Sequence, residues 1–148
     1  VQKEYMVLLA GRWEGKKIRE VDLPLLKNIN QSGERVVKVS PEGKPSKTIF
    51  ELVKNFEQSC WVKAHPLTGR THQIRVHAAE IGHPVLGDEK YGKDYLSHFK
   101  KCPRLCLHAR SLKFVLPESE GTCYFEAPID EKTKTFLTVL ESKKDEHE

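Results

Sequence analysis

The 148-residue sequence contains no apolar run approaching the ~20 residues that span a bilayer, which excludes a helical membrane protein. It also lacks a signal-peptide pattern, because the opening VQKEYMVLLAGRW has neither a basic leader nor a long apolar stretch. A cytoplasmic location with no membrane partner is the corresponding expectation. The chain does not begin with methionine. Val1 is therefore expected to be a processing, cloning or proteolytic boundary, with further residues before it. Low-complexity tracts and internal repeats are absent. What remains, 38% hydrophobic and 31% charged residues, is the composition of one ordinary globular domain long enough to bury a core.

Cysteine is scarce. With four cysteines and no export signal, a disulfide framework is not expected. Cys102, Cys106 and His108 lie close together, as metal ligands can. Zinc sites, however, bring a second ligand pair, and none is present. The alternation in RLCLHA fits a half-buried strand better, so no metal is expected.

Charge is unevenly placed. Residues 117–148 carry 9 acidic and 4 basic side chains, whereas residues 1–116 carry 21 basic and 12 acidic. A basic body with an acidic end suits a polyanion, most commonly nucleic acid. The same pattern also describes a solvated, mixed-charge surface, and charge alone does not choose between them.

The pattern predicts strands over 3–9, 16–21, 35–39, 47–54 and 59–65. It also predicts two or three strands between 104 and 128. Residues 24–47, rich in Pro and Gly, read as a long loop crossed by the single strand RVVKV. A helix is predicted over 71–81. Thr71 is its expected N-cap, Ile74, Ala78 and Ile81 form an apolar stripe, and Gly82 and Pro84 end it. A short helix is expected at 93–100. A last one is capped by Asp130 and carries Phe136, Leu137 and Leu140 inward. Residues 1–142 form the domain and 143–148 a frayed, charged tail. Strands dominate without βαβ alternation, so the fold class is α+β with a mainly antiparallel sheet flanked by helices and loops.

The densest chemistry lies in KAHPLTGRTHQIRVH, residues 63–77, which contains Lys63, Arg70, Arg75 and three histidines but no acid. A turn at 66–69 runs into a helix whose first N–H groups are unpaired and partly positive, with Arg70 beside them. This suits an anion such as an RNA phosphate, contacted by Arg70, Thr71 and His72. His72 and Arg75, three residues apart, share a helical face that flanks the apolar stripe. Arg75 is thus expected half-buried, needing an acid or a ligand anion. Equally, His72 and His77 can be satisfied structural histidines, and Arg70 can be solvated or tie down its own loop. The segment does not by itself name a reaction.

HPLTGRTHQIRVHAAEIGHPVLGDEKYG resembles the motif region of the RluA-type pseudouridine synthases, and LHARSLKF and FEAPID resemble later blocks in the same order. PLLKNINQSGERVVKVSPEGKPSKT is similar to the RluC-like subgroup that modifies large-subunit ribosomal RNA. The resemblance runs from Lys3 to about Leu140. It implies an enzyme that turns uridine into pseudouridine in RNA with neither metal nor cofactor, on a flipped-out base. It implies three roles. A tyrosine in a Lys-x-Tyr strand, here Tyr5, packs on the base and removes the C5 proton. A basic residue, here Arg75, pairs with a nucleophilic aspartate. That aspartate stands in a His-Arg-Leu-Asp motif upstream of the tyrosine strand.

None of the five aspartates, at positions 22, 88, 94, 130 and 145, has that context. Asp88 matches a different block, read as structural. The expectation is the C-terminal part of a catalytic domain, cut before its nucleophile and inactive alone, with Arg75 lacking its acid. The alternative is a non-catalytic RNA-binding module on the same scaffold.

Overall fold

The computed structural model describes residues 2–29, 32–93, 105, 107–115, 122–126, 135 and 138. Eight strands and one helix are assigned among them. They are β1 (Gln2–Ala10), β2 (Ile18–Asp22), β3 (Leu25–Ile29), β4 (Arg35–Val39), β5 (Lys47–Asn55), β6 (Ser59–Pro66), α1 (Gln73–Glu80), β7 (Leu107–Val115) and β8 (Thr122–Glu126). Six strands form one sheet in the order β2-β5-β6-β1-β7-β8, and every pair in it is antiparallel. The expected α+β class with a mainly antiparallel sheet holds.

Register explains where the core lies. Tyr5, Val7 and Leu9 sit on one face of β1, opposite Ala64, Val62 and Cys60 of β6. Ala64 and Val62 in turn face Phe50 and Leu52 of β5. These rows, with Trp13 and Val21, make a continuous apolar layer, and Ile74 and Ala78 of α1 pack on it. Val7, Leu9, Phe50 and Val62 are at most 1% exposed. Each such side chain contributes about 1.5–3 kcal/mol by leaving water. The central strand β1 is buried on both faces, since Met6 and Leu8 are also shielded. Buried Cys60 is part of this layer, and desolvation pushes its thiol up to about 12, so it is inert packing.

The structure corrects the sequence reading at two places. Residues 24–47 are not a loop crossed by one strand: β3 and β4 pair as a separate hairpin. Its inward residues, Leu25 and Val37, pack on Val76 of α1 and on Tyr91. The loop after β4 returns so closely to β3 that a Cβ on Gly43 would lie 2.5 Å from the Leu25 carbonyl carbon, so glycine is required there. Of the two or three strands expected between 104 and 128, two are described, β7 and β8. Finally, Thr71 does not cap α1. His72 occupies the N-cap position with a left-handed backbone (φ 53°, ψ 22°), and no side chain caps the helix. Gly82, at φ 87°, follows the helix as expected. The expected helix at 93–100 and the 143–148 tail lie essentially outside the described residues, as do Asp130, Phe136, Leu137, Leu140, Cys102 and Cys106.

Candidate functional site

The turn between β6 and α1 is held by one buried side chain, Gln73, which is 4% exposed. Its Oε1 accepts from the Arg70 N–H (3.0 Å) and the Thr68 hydroxyl (2.7 Å). Its Nε2 donates to the Lys47 carbonyl (2.8 Å) and to Thr48 Oγ1 (2.9 Å). An N–H can only donate and a carbonyl can only accept, so these partners fix the amide orientation. Thr48, having accepted from Gln73, donates its hydroxyl to His77 Nδ1 (2.8 Å). His77 Nε2–H then donates to the Leu23 carbonyl (2.9 Å). His77 is fully buried, and desolvation lowers its pKa. It is therefore a neutral structural histidine stitching α1 to β5 and to the β2–β3 link. Arg70 Nε and Nη2 both donate to the Pro45 carbonyl, at 3.2 and 3.0 Å, so this side chain also ties down its own loop.

The next layer is charged. Arg75 donates from Nε to Asp88 Oδ2 (2.9 Å) and from Nη2 to Oδ1 (2.8 Å), a bidentate fork. Asp88 Oδ1 also accepts the N–H groups of Lys90 and Tyr91, each at 3.0 Å. Burial works to raise the Asp88 pKa, but the Arg75 bond and charge and the two backbone N–H groups outweigh it, and the net shift is downward. The Asp88 bond in turn raises the Arg75 pKa. The expectation that Arg75 lacks an acid in this chain is thus corrected. The half-buried guanidinium, 18% exposed, meets a carboxylate from the segment after α1, and Asp88 is the structural group its motif suggested. Asp88 is wholly shielded, so it cannot attack a substrate from this position.

Tyr91 lies beneath this pair, its ring centroid 5.1 Å from the Arg75 guanidinium carbon. Its hydroxyl accepts the Val37 N–H (3.1 Å) and stands 2.8 Å from His72 Nδ1. His72 is the only non-glycine residue with positive φ among the described residues. That conformation costs about 1–2 kcal/mol, and such strain concentrates at functional sites. Burial lowers the His72 pKa first, and the charges of Arg75, Lys90 and Arg35 lower it further.

These groups border a cleft of about 330 Å³. Lys3 and Tyr5 form its wall on β1, Leu105 and Leu107 form another, and the rest comes from the turn and the start of α1, including Arg70, His72 and Arg75. A register shift between Glu4 and Tyr5 marks a bulge in the β1–β7 pairing, a device that re-aims a side chain beside a site. Among the described residues, the lining holds three cations, Lys3, Arg70 and Arg75, and no Asp or Glu.

The structure therefore brings Tyr5, Arg70, His72 and Arg75 to one cleft, while Thr71 is not among its lining residues. Sequence reasoning missed Gln73, Thr48, Thr68 and Tyr91. Gln73 bonds locally to Thr68 and Arg70, but the Thr48 and Lys47 partners that seat its amide lie 25 and 26 positions away in sequence. No group of three or more potential metal ligands occurs among the described residues.

Comparison with known proteins decides the ancestry. Residues 1–80, which hold β1, the turn and α1, match the family model described as RNA pseudouridylate synthase. The chain belongs to this family. Relatives include a protein of Yersinia pestis named ribosomal large subunit pseudouridine synthase C, 48% identical over 143 residues. A protein of Escherichia coli K12 with the same name is 43% identical over 145. Each alignment covers 95% of this chain but only 44% and 45% of those relatives, so the chain spans less than half their length. Among solved structures, human RNA Pseudouridylate Synthase Domain Containing 1 superposes with a TM-score of 0.73 at 25% identity, over 95% of this chain and 65% of that one. Most of the cleft lining, from Lys3 to Arg75, therefore lies within the stretch that the family model matches.

Proposed function

We propose that this chain supplies the base-facing and RNA-facing walls of an RNA pseudouridine synthase acting on uridines of large-subunit ribosomal RNA, without metal or cofactor. The observation that carries this reading is the cleft itself. A tyrosine and an arginine from the matched family segment border one basic hollow that no described carboxylate enters. In the reaction the uracil leaves C1′, turns, and rejoins through C5. Tyr5 packs on the base and takes the C5 proton, and Arg75 steadies the attacking carboxylate. We assign that carboxylate to the intact protein outside these residues, since no aspartate here stands in a His-Arg-Leu-Asp context and Asp88 is committed to Arg75. Covalent catalysis cannot proceed without its nucleophile, so the chain alone is inactive. Arg70, Thr71 and His72 make the RNA contacts. Residues 1–142 act as one catalytic-domain segment.

Electrostatics gives the direct test. Phosphate neutralisation releases counterions, so the chain binds large-subunit RNA weakly, with little sequence preference and with affinity that falls steeply as salt rises. Arg70 keeps Nη1 for a phosphate while its other donors hold Pro45. Arg70→Ala therefore lowers both the affinity and the slope of log K against log salt by about one phosphate contact. Binding that ignores salt contradicts the reading.

A further inference from the structure

Tyr91 lies beyond residues 1–80 and outside the cleft lining, yet it touches both groups that give the α1 entrance its character. Its ring supports the Arg75 guanidinium, and its hydroxyl meets His72. We propose that Tyr91 is a positioning residue that locks His72 as an Nε2–H donor toward an acceptor oxygen of the bound RNA. This rests on the RNA reading given above.

The Val37 N–H can only donate, so the Tyr91 oxygen accepts there. The phenol keeps one proton to give, and we assign it to His72 Nδ1, which stands 2.8 Å away. An imidazole that accepts at Nδ1 carries its proton on Nε2. The rings meet edge-on at 68°, with centroids 5.6 Å apart, which fixes the plane of the imidazole as well. Burial first, and then the charges of Arg75, Lys90 and Arg35, oppose a second proton on the ring, with Asp88 acting the other way. The left-handed backbone at His72 turns the side chain to the cleft border ahead of the helix, where it can meet both Tyr91 and the cleft. A strained backbone, a directed hydrogen bond and an edge-on ring together over-determine one donor. A residue that merely filled space at a helix entrance needs none of these.

The ligand chemistry is an uncharged acceptor or a phosphate oxygen, met by a donor that adds no charge of its own. His72 therefore differs from Arg70 in a measurable way. Loss of His72 weakens RNA binding without changing the salt slope, whereas loss of Arg70 changes it.

The experiment uses the 148-residue chain and a uridine-containing single-stranded RNA oligonucleotide. Nitrogen-15 NMR at neutral pH reads the His72 tautomer without RNA, and fluorescence anisotropy reads affinity across a salt series. The expected results are a protonated Nε2 with a bare Nδ1 in the unaltered chain, and a several-fold loss of affinity in His72→Ala at unchanged salt slope. Tyr91→Phe, which keeps the ring under Arg75, is expected to release the tautomer and weaken binding to a similar degree. It adds nothing further in the His72→Ala background, as a residue acting through His72 requires. A proton on Nδ1 in the unaltered chain, or additive losses in the double variant, overturns the proposal while leaving RNA binding intact. Absence of RNA binding by the unaltered chain overturns the broader reading and this one with it.

Discussion

Asp88→Asn is expected to lower the stability of the chain by about 3 kcal/mol, read as the midpoint shift in urea unfolding. The substitution keeps size and leaves one acceptor for the Lys90 and Tyr91 N–H groups, but it turns an amide N–H₂ toward the Arg75 fork. A buried cation without its carboxylate is among the costliest defects a single change can make. The loss lies at the lower end of that range because Arg75 is 18% exposed and retains some access to water. The sign of the pH dependence follows from the same pair. Asp88 titrates below its ordinary value of 3.8 in the folded chain, so its contribution is complete above that value. It is lost as pH falls through the lower folded value. His77, whose folded pKa lies below 6.5, acts in the same direction at higher pH, so stability already declines as pH drops beneath the ordinary histidine range. Asp88→Asn removes the low-pH part of this decline and leaves the histidine part. A change of less than 0.5 kcal/mol, roughly that of a surface substitution, contradicts the assignment of Asp88 as the anchor of Arg75.

In the intact protein, Tyr5→Phe is expected to leave RNA binding nearly unchanged and to slow pseudouridine formation by about 10²–10⁴-fold, the usual contribution of a positioned general base. The ring stays, so packing against the core and against a base is retained, and only the phenol oxygen is lost. The position of Tyr5 makes this informative. It lies on the core face of β1 opposite Ala64, a small partner, and beside the bulge that interrupts pairing with β7. Its ring therefore serves the apolar layer and the cleft together. A normal rate of product formation in Tyr5→Phe, measured on large-subunit RNA, reduces Tyr5 to packing alone.

Legibility in the sequence followed the range of the interactions. The strands β1, β5 and β6 and the body of α1 were readable because alternation and the 3.6-residue period are local signals. The β3–β4 hairpin was not, because only Leu25 and Val37 are strongly shielded in it. Their partners, Val76 and Tyr91, lie far along the chain, while Pro24, Pro41 and Gly43 suggested a loop. Thr71 carried the right side chain for a cap. The left-handed turn at His72 and the Gln73 amide organise the helix entrance instead, and the amide's bonds to Lys47 and Thr48, far back in the chain, leave no pattern in local sequence. Arg75 was correctly read as half-buried and in need of an acid. Which acid answers it was settled only by the turn that carries Asp88 back beneath α1.

The central claim is that these 148 residues hold the walls of a pseudouridine-forming cleft without its nucleophile. The measurement that bears on it most directly is pseudouridine formed in large-subunit ribosomal RNA by this chain alone, then by the same chain supplemented with a domain carrying a His-Arg-Leu-Asp segment. The account predicts no product from the chain alone and partial activity on supplementation. Multiple turnovers by the chain alone would contradict it, since a carboxylate within these residues would then have to act as the nucleophile.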